Sequence, residues 1–362
     1  MASLRPRPGI LEIEPYVGGK AEAEGAARIV KLSANESALG PSPKAIEAVH
    51  AIALAMHRYP DGGARALRRA LGTRFGLDPA RIVCGAGSDE LIQLLTRAYA
   101  GPGDEILYSA HGFLMYRLSA LGVGALPVAA PERELCADVD ALLARLTSRT
   151  RMVFLANPNN PTGSYLSSDE LARLHAGLPD DVLLVIDAAY AEFVRRNDYA
   201  AGLELVDRAE NVVMTRTFSK LFGLAALRLG WLYASPAVVD VLDRIRGPFN
   251  VGMPAQVAGI AALEDLEHQE RAREHNDRWL AWLASKIAGL GVIVHPSVAN
   301  FVLVRFSPDG DRSAAAASAH LETHGILARP MAAYGLPECL RISVGLEDEN
   351  HAVVRSLAEF LA

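Results

Sequence analysis

The alternation of short apolar segments with amphipathic helical segments between Arg81 and Ala234 most constrains the fold of this chain. Segments such as MVFLA and VLLVI are continuous apolar runs of strand length. Runs of this kind, each separated by a stretch with helical apolar spacing, are typical of parallel strands buried on both faces. The sequence therefore predicts an α/β fold with a mostly parallel sheet and helices on both faces.

The pattern changes near Pro254, where a long helical run over 254–290 is followed by short strands and two more helices. This is an α+β pattern, and it predicts a second, smaller domain over 254–362. Residues 43–253 then form the large domain. Residues 1–42 are rich in proline and glycine, and we expect them to form an arm that packs with the small domain or with a partner subunit.

Composition excludes several classes of function. The chain of 362 residues has a net charge of −6 and no long basic run, so nucleic acid is not an expected partner. Its three cysteines are far apart, which predicts neither a disulfide framework nor a metal site and fits a reducing cytoplasm. An apolar signal region and a run of about 18 apolar residues are both absent, so no membrane association is expected.

One lysine stands in a setting that suits covalent catalysis. In TRTFSKLFGLAALRLG, Lys220 follows the hydroxyls of Thr217 and Ser219 and precedes Arg228. A lysine amine can form a Schiff base with an aldehyde cofactor, while hydroxyls and a guanidinium can hold that cofactor's phosphate. These are the requirements of pyridoxal 5′-phosphate. The alternative is a solvated lysine in a turn.

Three polar side chains follow predicted strands, where ligands of open α/β sheets bind. Asp187 ends the run VLLVI, and a buried carboxylate needs a partner such as a pyridinium nitrogen. The alternative is an aspartate that caps the next helix. Tyr190 can reach the phenolic oxygen of the same ring, and Asn160 in the rigid loop NPNNPTG can donate to it.

Other candidates are weaker when taken singly. Ser88 and Asp89 in GAGSDELIQLL open a helix whose free amides can bind an anion, although a simple capped helix explains them equally well. Phe113 in HGFLMY can stack on a heterocycle or belong to the core. Arg341 in ECLRISVG, with Arg329 as a second candidate, can clamp an anionic substrate. The phosphate-loop and GxGxxG fingerprints of nucleotide-binding proteins are absent.

These motifs, in this order, resemble the fold-type I pyridoxal-phosphate aminotransferases, the aspartate aminotransferase-like superfamily. The resemblance covers nearly the whole chain. Within the superfamily the sequence is most similar to the histidinol-phosphate aminotransferases, through EPY with Tyr16, SANES with Asn35, RYPDG with Tyr59, GSDELIQLL, and GILARP followed by LRISVG. The sequence departs from the family at Phe113, where a tyrosine is usual, and after Tyr16, where some relatives carry arginines.

The resemblance implies a residue-by-residue assignment. Lys220, Asp187 and Tyr190 would be the catalytic residues. Tyr59 would reach the cofactor phosphate of the other subunit of a homodimer. The same phosphate would be held by the Ser88–Asp89 backbone, Thr217, Ser219 and Arg228. The family also implies substrate binding by Tyr16, Asn35, Arg329 and Arg341.

The expected reaction is transamination between histidinol phosphate and 2-oxoglutarate in the cytoplasm. An aromatic amino-acid aminotransferase is the alternative, alone or as a second activity, and a threonine-phosphate decarboxylase is a more distant one. A cofactor-binding regulatory protein would carry a DNA-binding domain, for which the sequence before Tyr16 leaves no room.

Overall fold

A seven-stranded sheet forms the centre of the computed structural model, which describes residues 6–7, 9–15, 18, 20, 22, 28–308 and 310–362. The strands of the described chain are β1 (Val30–Lys31), β2 (Ile82–Gly85), β3 (Glu105–Ser109), β4 (Leu126–Ala130), β5 (Glu132–Arg133), β6 (Cys136–Ala137), β7 (Thr150–Ala156), β8 (Leu183–Asp187), β9 (Val212–Thr217), β10 (Gly230–Tyr233), β11 (Ile293–His295), β12 (Phe301–Arg305), β13 (Ile326–Leu327), β14 (Arg329–Met331) and β15 (Leu336–Ser343).

Helices separate most of these strands. The α-helices of the described chain are α1 (Pro43–Ala51), α2 (Arg65–Phe75), α3 (Ser88–Tyr99), α4 (Leu114–Val123), α5 (Val139–Ala144), α6 (Ser168–Ala176), α7 (Leu203–Arg208), α8 (Pro236–Ile245), α9 (Met253–Glu264), α10 (Leu266–Ala288), α11 (Ala314–Thr323) and α12 (Glu347–Leu361).

The central sheet has the strand order β2–β10–β9–β8–β7–β3–β4. Strand β10 runs antiparallel to both of its neighbours, and the remaining neighbouring pairs are parallel. The parallel pairs need crossover connections, and the intervening helices provide them. The predicted α/β class with a mostly parallel sheet is confirmed.

The apolar runs of the sequence are explained by burial on both faces of this sheet. In β9, Val212 and Met214 pack into the core on one face, together with residues of α2, α6 and α9. Val213, between them, packs into the core on the other face with residues of α3, α4 and α8. Successive side chains of a strand point to opposite faces, so the part of a strand that is covered on both sides is apolar. In β9 this part is Val212–Met214, and Thr215, Arg216 and Thr217 follow it toward the carboxyl end.

A second sheet, with the antiparallel order β11–β12–β15–β14, lies in the C-terminal part of the chain. Helices α10, α11 and α12 share its core through residues such as Leu283, Ala317 and Val353. The end of the N-terminal arm joins this part, because β1 pairs in parallel with β13 and the amide of Ser343 donates to Leu32 at 2.9 Å.

The helical run predicted over 254–290 is two helices rather than one. Asp265 is the N-cap of α10, with φ −90° and ψ 71°, and its carboxylate accepts hydrogen bonds from the amide of His268 and the hydroxyl of Ser42. Helix α9 packs against α1 and α2, whereas α10 contacts β11 and β12. The division of the chain at residue 253 stays a prediction.

Some elements were not predicted from the sequence. These include β1, β14, α7, α8 and the hairpin β5–β6. Helix α1 ends at Ala51, and a 3-10 turn over Ala53–Ala55 follows it. The residues after α1 are apolar but exposed, with Leu54 95% accessible, so packing against the described part of the chain does not extend the helix.

We expect Asp265→Ala to lower the free energy of unfolding by about 1–2 kcal/mol, because the variant loses an N-cap and leaves the buried Ser42 hydroxyl without its acceptor. Urea unfolding of the cofactor-loaded protein measures the change. Glu267→Ala is the matched control, since Glu267 forms an exposed ion pair with Arg271 in the same helix, worth about 0.5 kcal/mol or less. Equal losses in both variants would contradict this account of the helix break.

Candidate active site

A cavity of about 270 Å³ lies between the carboxyl ends of the central strands and the second sheet. Its position is the usual ligand site of an open α/β sheet. Nearly all of the predicted site residues line it: Asn35, Ser88, Asp89, Phe113, Asn160, Asp187, Tyr190, Thr217, Ser219, Lys220, Arg228, Arg329 and Arg341. The structure therefore brings together residues that are up to about 300 positions apart in the sequence.

Lys220 lies in the loop that follows β9. Its Nζ donates to the carbonyl oxygen of Ala34 at 3.1 Å and lies 5.5 Å from the ring centre of Tyr190. Burial lowers the pKa of Lys220 to about 8, and the positive charge of Arg341 contributes in the same direction. The amine is therefore neutral, and nucleophilic, at a pH where an ordinary lysine is protonated.

Asp187 ends β8 and is 5% exposed. The hydroxyl of Tyr116 donates to its Oδ2 at 2.8 Å, and the hydroxyl of Thr215 donates to its Oδ1 at 3.2 Å. Burial raises the pKa of Asp187 to about 6 despite these two hydrogen bonds. Such a carboxylate is set to receive a cation at the inner end of the cavity.

Tyr116 is a site residue that the sequence analysis did not identify. It is completely buried, and its ring stacks on Phe154 at 4.6 Å with an interplanar angle of 2°. It ends the segment HGFLMY, but its contact with Asp187 joins residues that are 71 positions apart. A motif within one segment cannot indicate a contact with a residue so distant in the sequence.

The opposite end of the cavity is built to hold an anion. Helix α3 begins at Ser88 after Gly87, which has φ 83°, and no side chain caps its first amides. Arg228 donates to Ser219 at 3.3 Å and to Asp89 at 3.0 Å, so its guanidinium lies beside that helix end. A Cβ atom on Gly230 would collide with the amide nitrogen of Ser88, which keeps this position open only to glycine. Free helix amides and a guanidinium together suit a phosphate.

Thr217 and Ser219 continue this end of the cavity. The amide of Ser219 donates to the Thr217 hydroxyl at 3.1 Å, and that hydroxyl donates to the carbonyl oxygen of Leu229 at 3.4 Å. These bonds fix the turn that leads from β9 to Lys220. Both residues line the cavity as predicted, and their contact with a phosphate stays a prediction.

The second sheet contributes the outer wall of the cavity. Arg341 on β15 is 5% exposed and donates to Asn160 and to the carbonyl oxygen of Ser33. Because Oδ1 of Asn160 faces the guanidinium, its amide nitrogen is left as a hydrogen-bond donor. Arg329 on β14 is the cross-strand partner of Arg341, so the two cationic side chains start from adjacent positions.

Asn35 and Tyr190 connect the two parts of the molecule. Nδ2 of Asn35 donates to the hydroxyl oxygen of Tyr190 at 2.8 Å, and its backbone amide donates to Ser343 at 2.9 Å. Burial raises the pKa of Tyr190 to about 12, so its hydroxyl stays protonated and can itself donate.

Phe113 precedes α4 and meets Tyr116 edge to face at 5.9 Å. Its stacking on a ring stays a prediction.

Two predicted residues lie outside this set. Tyr59 is 81% exposed and stacks on Phe249 at 4.6 Å, and it does not line the cavity of its own chain. Tyr16 lies outside the described residues.

The cavity walls also include Ser33, Ala34, Glu36 and Tyr334, which the sequence analysis did not single out.

The cavity fits pyridoxal 5′-phosphate on its own chemistry. A buried carboxylate without an ion-pair partner among the described residues lies at the inner end, an amine with a lowered pKa lies at the side, and a helix end suited to an anion lies opposite. The cofactor has a ring nitrogen, an aldehyde and a phosphate to match these three features. Asp187, Lys220 and the α3–Arg228 region are the residues that would hold it.

The chain belongs to the family described as aminotransferase class I and II, which matches residues 27–357. Among curated relatives, the histidinol-phosphate aminotransferases of Paramagnetospirillum magneticum and Rhodospirillum centenum are 60% and 61% identical over 361 residues, or 100% of this chain and 99% of each relative. Among solved structures, the histidinol-phosphate aminotransferase of Sinorhizobium meliloti in complex with pyridoxal-5′-phosphate has a TM-score of 0.87 at 28% identity, covering 99% of this chain and 98% of that one.

These similarities confirm the predicted family, the fold-type I architecture, the aminotransferase class and pyridoxal 5′-phosphate as the cofactor. They do not test the roles of individual residues. Within the described part of the chain, none of the helices is both long enough and apolar enough to cross a membrane.

We expect the cofactor-free protein to capture pyridoxal 5′-phosphate at a rate that rises with pH to a midpoint near 8, because the neutral amine of Lys220 is the nucleophile. The appearance of the visible absorbance of the bound cofactor, followed from pH 6 to 10, measures this rate. In Arg341→Gln one cause of the lowered pKa is removed, so the midpoint should move upward. A midpoint near that of an ordinary lysine, about 10.4, would contradict the prediction.

Proposed function

We propose that this enzyme transfers the amino group of L-histidinol phosphate to 2-oxoglutarate, giving imidazole-acetol phosphate and glutamate in histidine biosynthesis. The observation that carries the proposal is the presence of two anion-binding ends in one cavity. One is formed by α3 and Arg228, and the other by Arg329 and Arg341. A phosphorylated amine needs a second cationic site besides the one that holds the cofactor. Full-length identity to two histidinol-phosphate aminotransferases supports the same substrate.

Pyridoxal 5′-phosphate, when bound, supplies an aldehyde that takes up the amino group and a ring that accepts the electrons released at the substrate carbon. Asp187 would hold a proton on the ring nitrogen through its buried carboxylate. Tyr116 and Thr215 fix the orientation of that carboxylate by their hydrogen bonds. The helix end at Ser88 and the guanidinium of Arg228 would hold the phosphate in place.

Lys220 would move the proton that transamination requires. Its amine would accept a proton from the substrate carbon and then donate it, as general base and acid, to complete the transfer of the amino group. A general base works best when its pKa lies near the working pH, and burial gives Lys220 a pKa of about 8. Tyr190, held by Asn35, and the amide group of Asn160 would donate to the phenolic oxygen of the ring.

Arg341 would bind both substrates in turn. Histidinol phosphate presents phosphate oxygens and 2-oxoglutarate presents carboxylate oxygens, and a planar guanidinium can donate two parallel hydrogen bonds to either group. Arg329 begins on the neighbouring strand and adds a second positive charge at the same wall. The predicted contribution of Tyr16 to this end belongs to the same proposal, and Tyr16 lies outside the described residues.

The proposal includes a homodimer in the cytoplasm. Tyr59 does not line the cavity of its own chain, and it stacks on the exposed Phe249. Leu54 and Met56, shortly before it in the sequence, are also exposed apolar side chains. An apolar patch of this kind marks a protein interface, and a second copy would bring Tyr59 to the partner's cofactor phosphate. The three cysteines are unpaired, which is consistent with a reducing compartment.

We expect histidinol phosphate, and not phenylalanine, to convert the bound cofactor rapidly to its amine form in a single turnover. Stopped-flow absorbance of the cofactor-loaded enzyme, mixed with each amine in turn, measures the conversion. Comparable rates with both amines would indicate a broad aromatic aminotransferase instead. Loss of carbon dioxide from threonine phosphate without any need for 2-oxoglutarate would indicate the decarboxylase.

Lys220→Ala is the control for this experiment. It should lose the absorbance of the cofactor attached to the enzyme and nearly all turnover, because no other described lysine lines the cavity. Full turnover in this variant would overturn the mechanism whichever substrate is used.

We expect Tyr59→Phe to raise the dissociation constant of the cofactor about tenfold or more, since a hydrogen bond to a charged group contributes roughly 1.5–3 kcal/mol. Equilibrium dialysis measures the binding, and sedimentation should show an unchanged dimer. Mixed dimers show whether Tyr59 contacts the cofactor of its own subunit or that of the partner subunit. Pairing a Tyr59→Phe chain with a Lys220→Ala chain should restore normal affinity at the site that keeps Lys220. Weak binding at that site would show that Tyr59 acts within its own chain.

A further inference from the structure

Three side chains of the types that ligate metals meet outside the cavity, at the end of α11 in the C-terminal part of the chain. One ring nitrogen of His320, one of His324 and a carboxylate oxygen of Glu359 all lie within 4.8 Å of one another. His320 and His324 are four positions apart, so they share one side of the helix end, while Glu359 comes from the last turn of α12. The absence of a metal site was predicted from cysteine spacing alone, which does not bear on this cluster.

Hydrogen bonds fix which nitrogen of His324 can bind a ligand. The hydroxyl of Thr323 donates its single hydrogen to the carbonyl oxygen of His320 at 2.7 Å. Nδ1 of His324 lies 3.2 Å from that hydroxyl oxygen and 3.0 Å from the same carbonyl oxygen. Both oxygens can only accept from the ring, so Nδ1 carries the hydrogen. Nε2 of the neutral ring therefore carries a lone pair.

That lone pair faces a second acceptor. Nε2 of His324 lies 3.4 Å from Oε2 of Glu359. Two acceptors at this distance need a cation between them or on one of them, either a proton on the ring or a metal ion. A histidine whose other nitrogen donates to a backbone carbonyl is in the arrangement that metal-binding histidines usually adopt.

His320 supplies an independent observation. Its Nε2 is enclosed by protein and has no hydrogen-bond partner among the residues that the structure describes. The ring packs against His324 with centroids 4.6 Å apart and against Phe360 at 5.5 Å, so it is held in place without its polar atom being satisfied. A buried polar atom without a partner is costly unless a ligand or ion completes it.

We propose that His320, His324 and Glu359 form a zinc-binding site that fastens the end of α12 to the end of α11. Two imidazoles and one carboxylate are a common set of protein ligands for Zn²⁺, with water in the fourth position. Ligands of a tetrahedral Zn²⁺ lie about 3.4 Å apart, given bond lengths of about 2.0–2.1 Å. The His324–Glu359 pair already has this separation. The Glu359 side chain is exposed, so it is free to adjust to the remaining ligand.

Zinc titration of the cofactor-loaded protein, without substrate and in competition with a fluorescent chelator, tests the proposal. The unmodified protein should bind one more ion per chain than His324→Ala, or bind it at least tenfold more tightly. Glu359→Gln should weaken binding in the same way. His324 is the primary variant because its side chain is exposed and its removal leaves the core intact.

Matched controls come from exposed residues of the same kinds elsewhere. His50→Ala on α1 and Glu347→Gln at the start of α12 should bind zinc as the unmodified protein does. Hydrogen exchange of the amides over 355–361 gives a second readout, and zinc should slow it in the unmodified protein but not in His324→Ala. Equal zinc binding by His324→Ala and the unmodified protein would overturn the proposal and leave a proton as the cation between His324 and Glu359.

Discussion

Burial of the central strands on both faces is the constraint on which the active site depends. In β8 and in the first half of β9, apolar residues fill the positions that are buried on both faces, so the charged residues predicted for the site lie at or beyond the ends of these strands. Asp187 is the last residue of β8, and Lys220 lies three residues after the end of β9. Because the two strands are parallel neighbours, both side chains open at the same edge of the sheet.

The second sheet turns this edge into a cavity. Arg341 reaches from β15 to Asn160 in the loop after β7, and Asn35 reaches from the N-terminal arm to Tyr190 in the loop after β8. Each contact joins a loop of the central sheet to an element held by the second sheet. The residues that would bind substrate are therefore also the residues that connect the two parts of the molecule. When a substrate carboxylate or phosphate binds the guanidinium of Arg341, the hydrogen bonds of this side chain would have to rearrange.

The sequence predicted the parts of this arrangement that depend on local pattern. Predicted strands placed Asp187 and Asn160 at strand ends, the neighbouring hydroxyls and Arg228 singled out Lys220, and a predicted helix start indicated Ser88 and Asp89. Contacts between distant segments were not predictable in the same way. Tyr116 lies under Asp187 because α4 packs on the face opposite to α2, and no spacing in HGFLMY encodes that. The break at Asp265 was hidden because apolar spacing continues through it, and the buried Ser42, whose hydroxyl donates to the carboxylate of Asp265, lies 223 positions away in the sequence.

The pKa shifts of Asp187 and Lys220 are opposite in sign but share burial as their main cause. A raised carboxyl pKa lowers the stability of the folded chain as pH rises from about 4 to about 6, and the full penalty remains above that range. A lowered lysine pKa imposes its full penalty below about pH 8, and the penalty is relieved between about 8 and 10.4. Between about pH 6 and 8 the cavity without cofactor therefore carries both penalties. A ligand that places a cation against Asp187 and binds the uncharged amine of Lys220 removes both penalties. The two groups proposed to perform the chemistry would therefore also make cofactor binding favourable and link it to the stability of the fold.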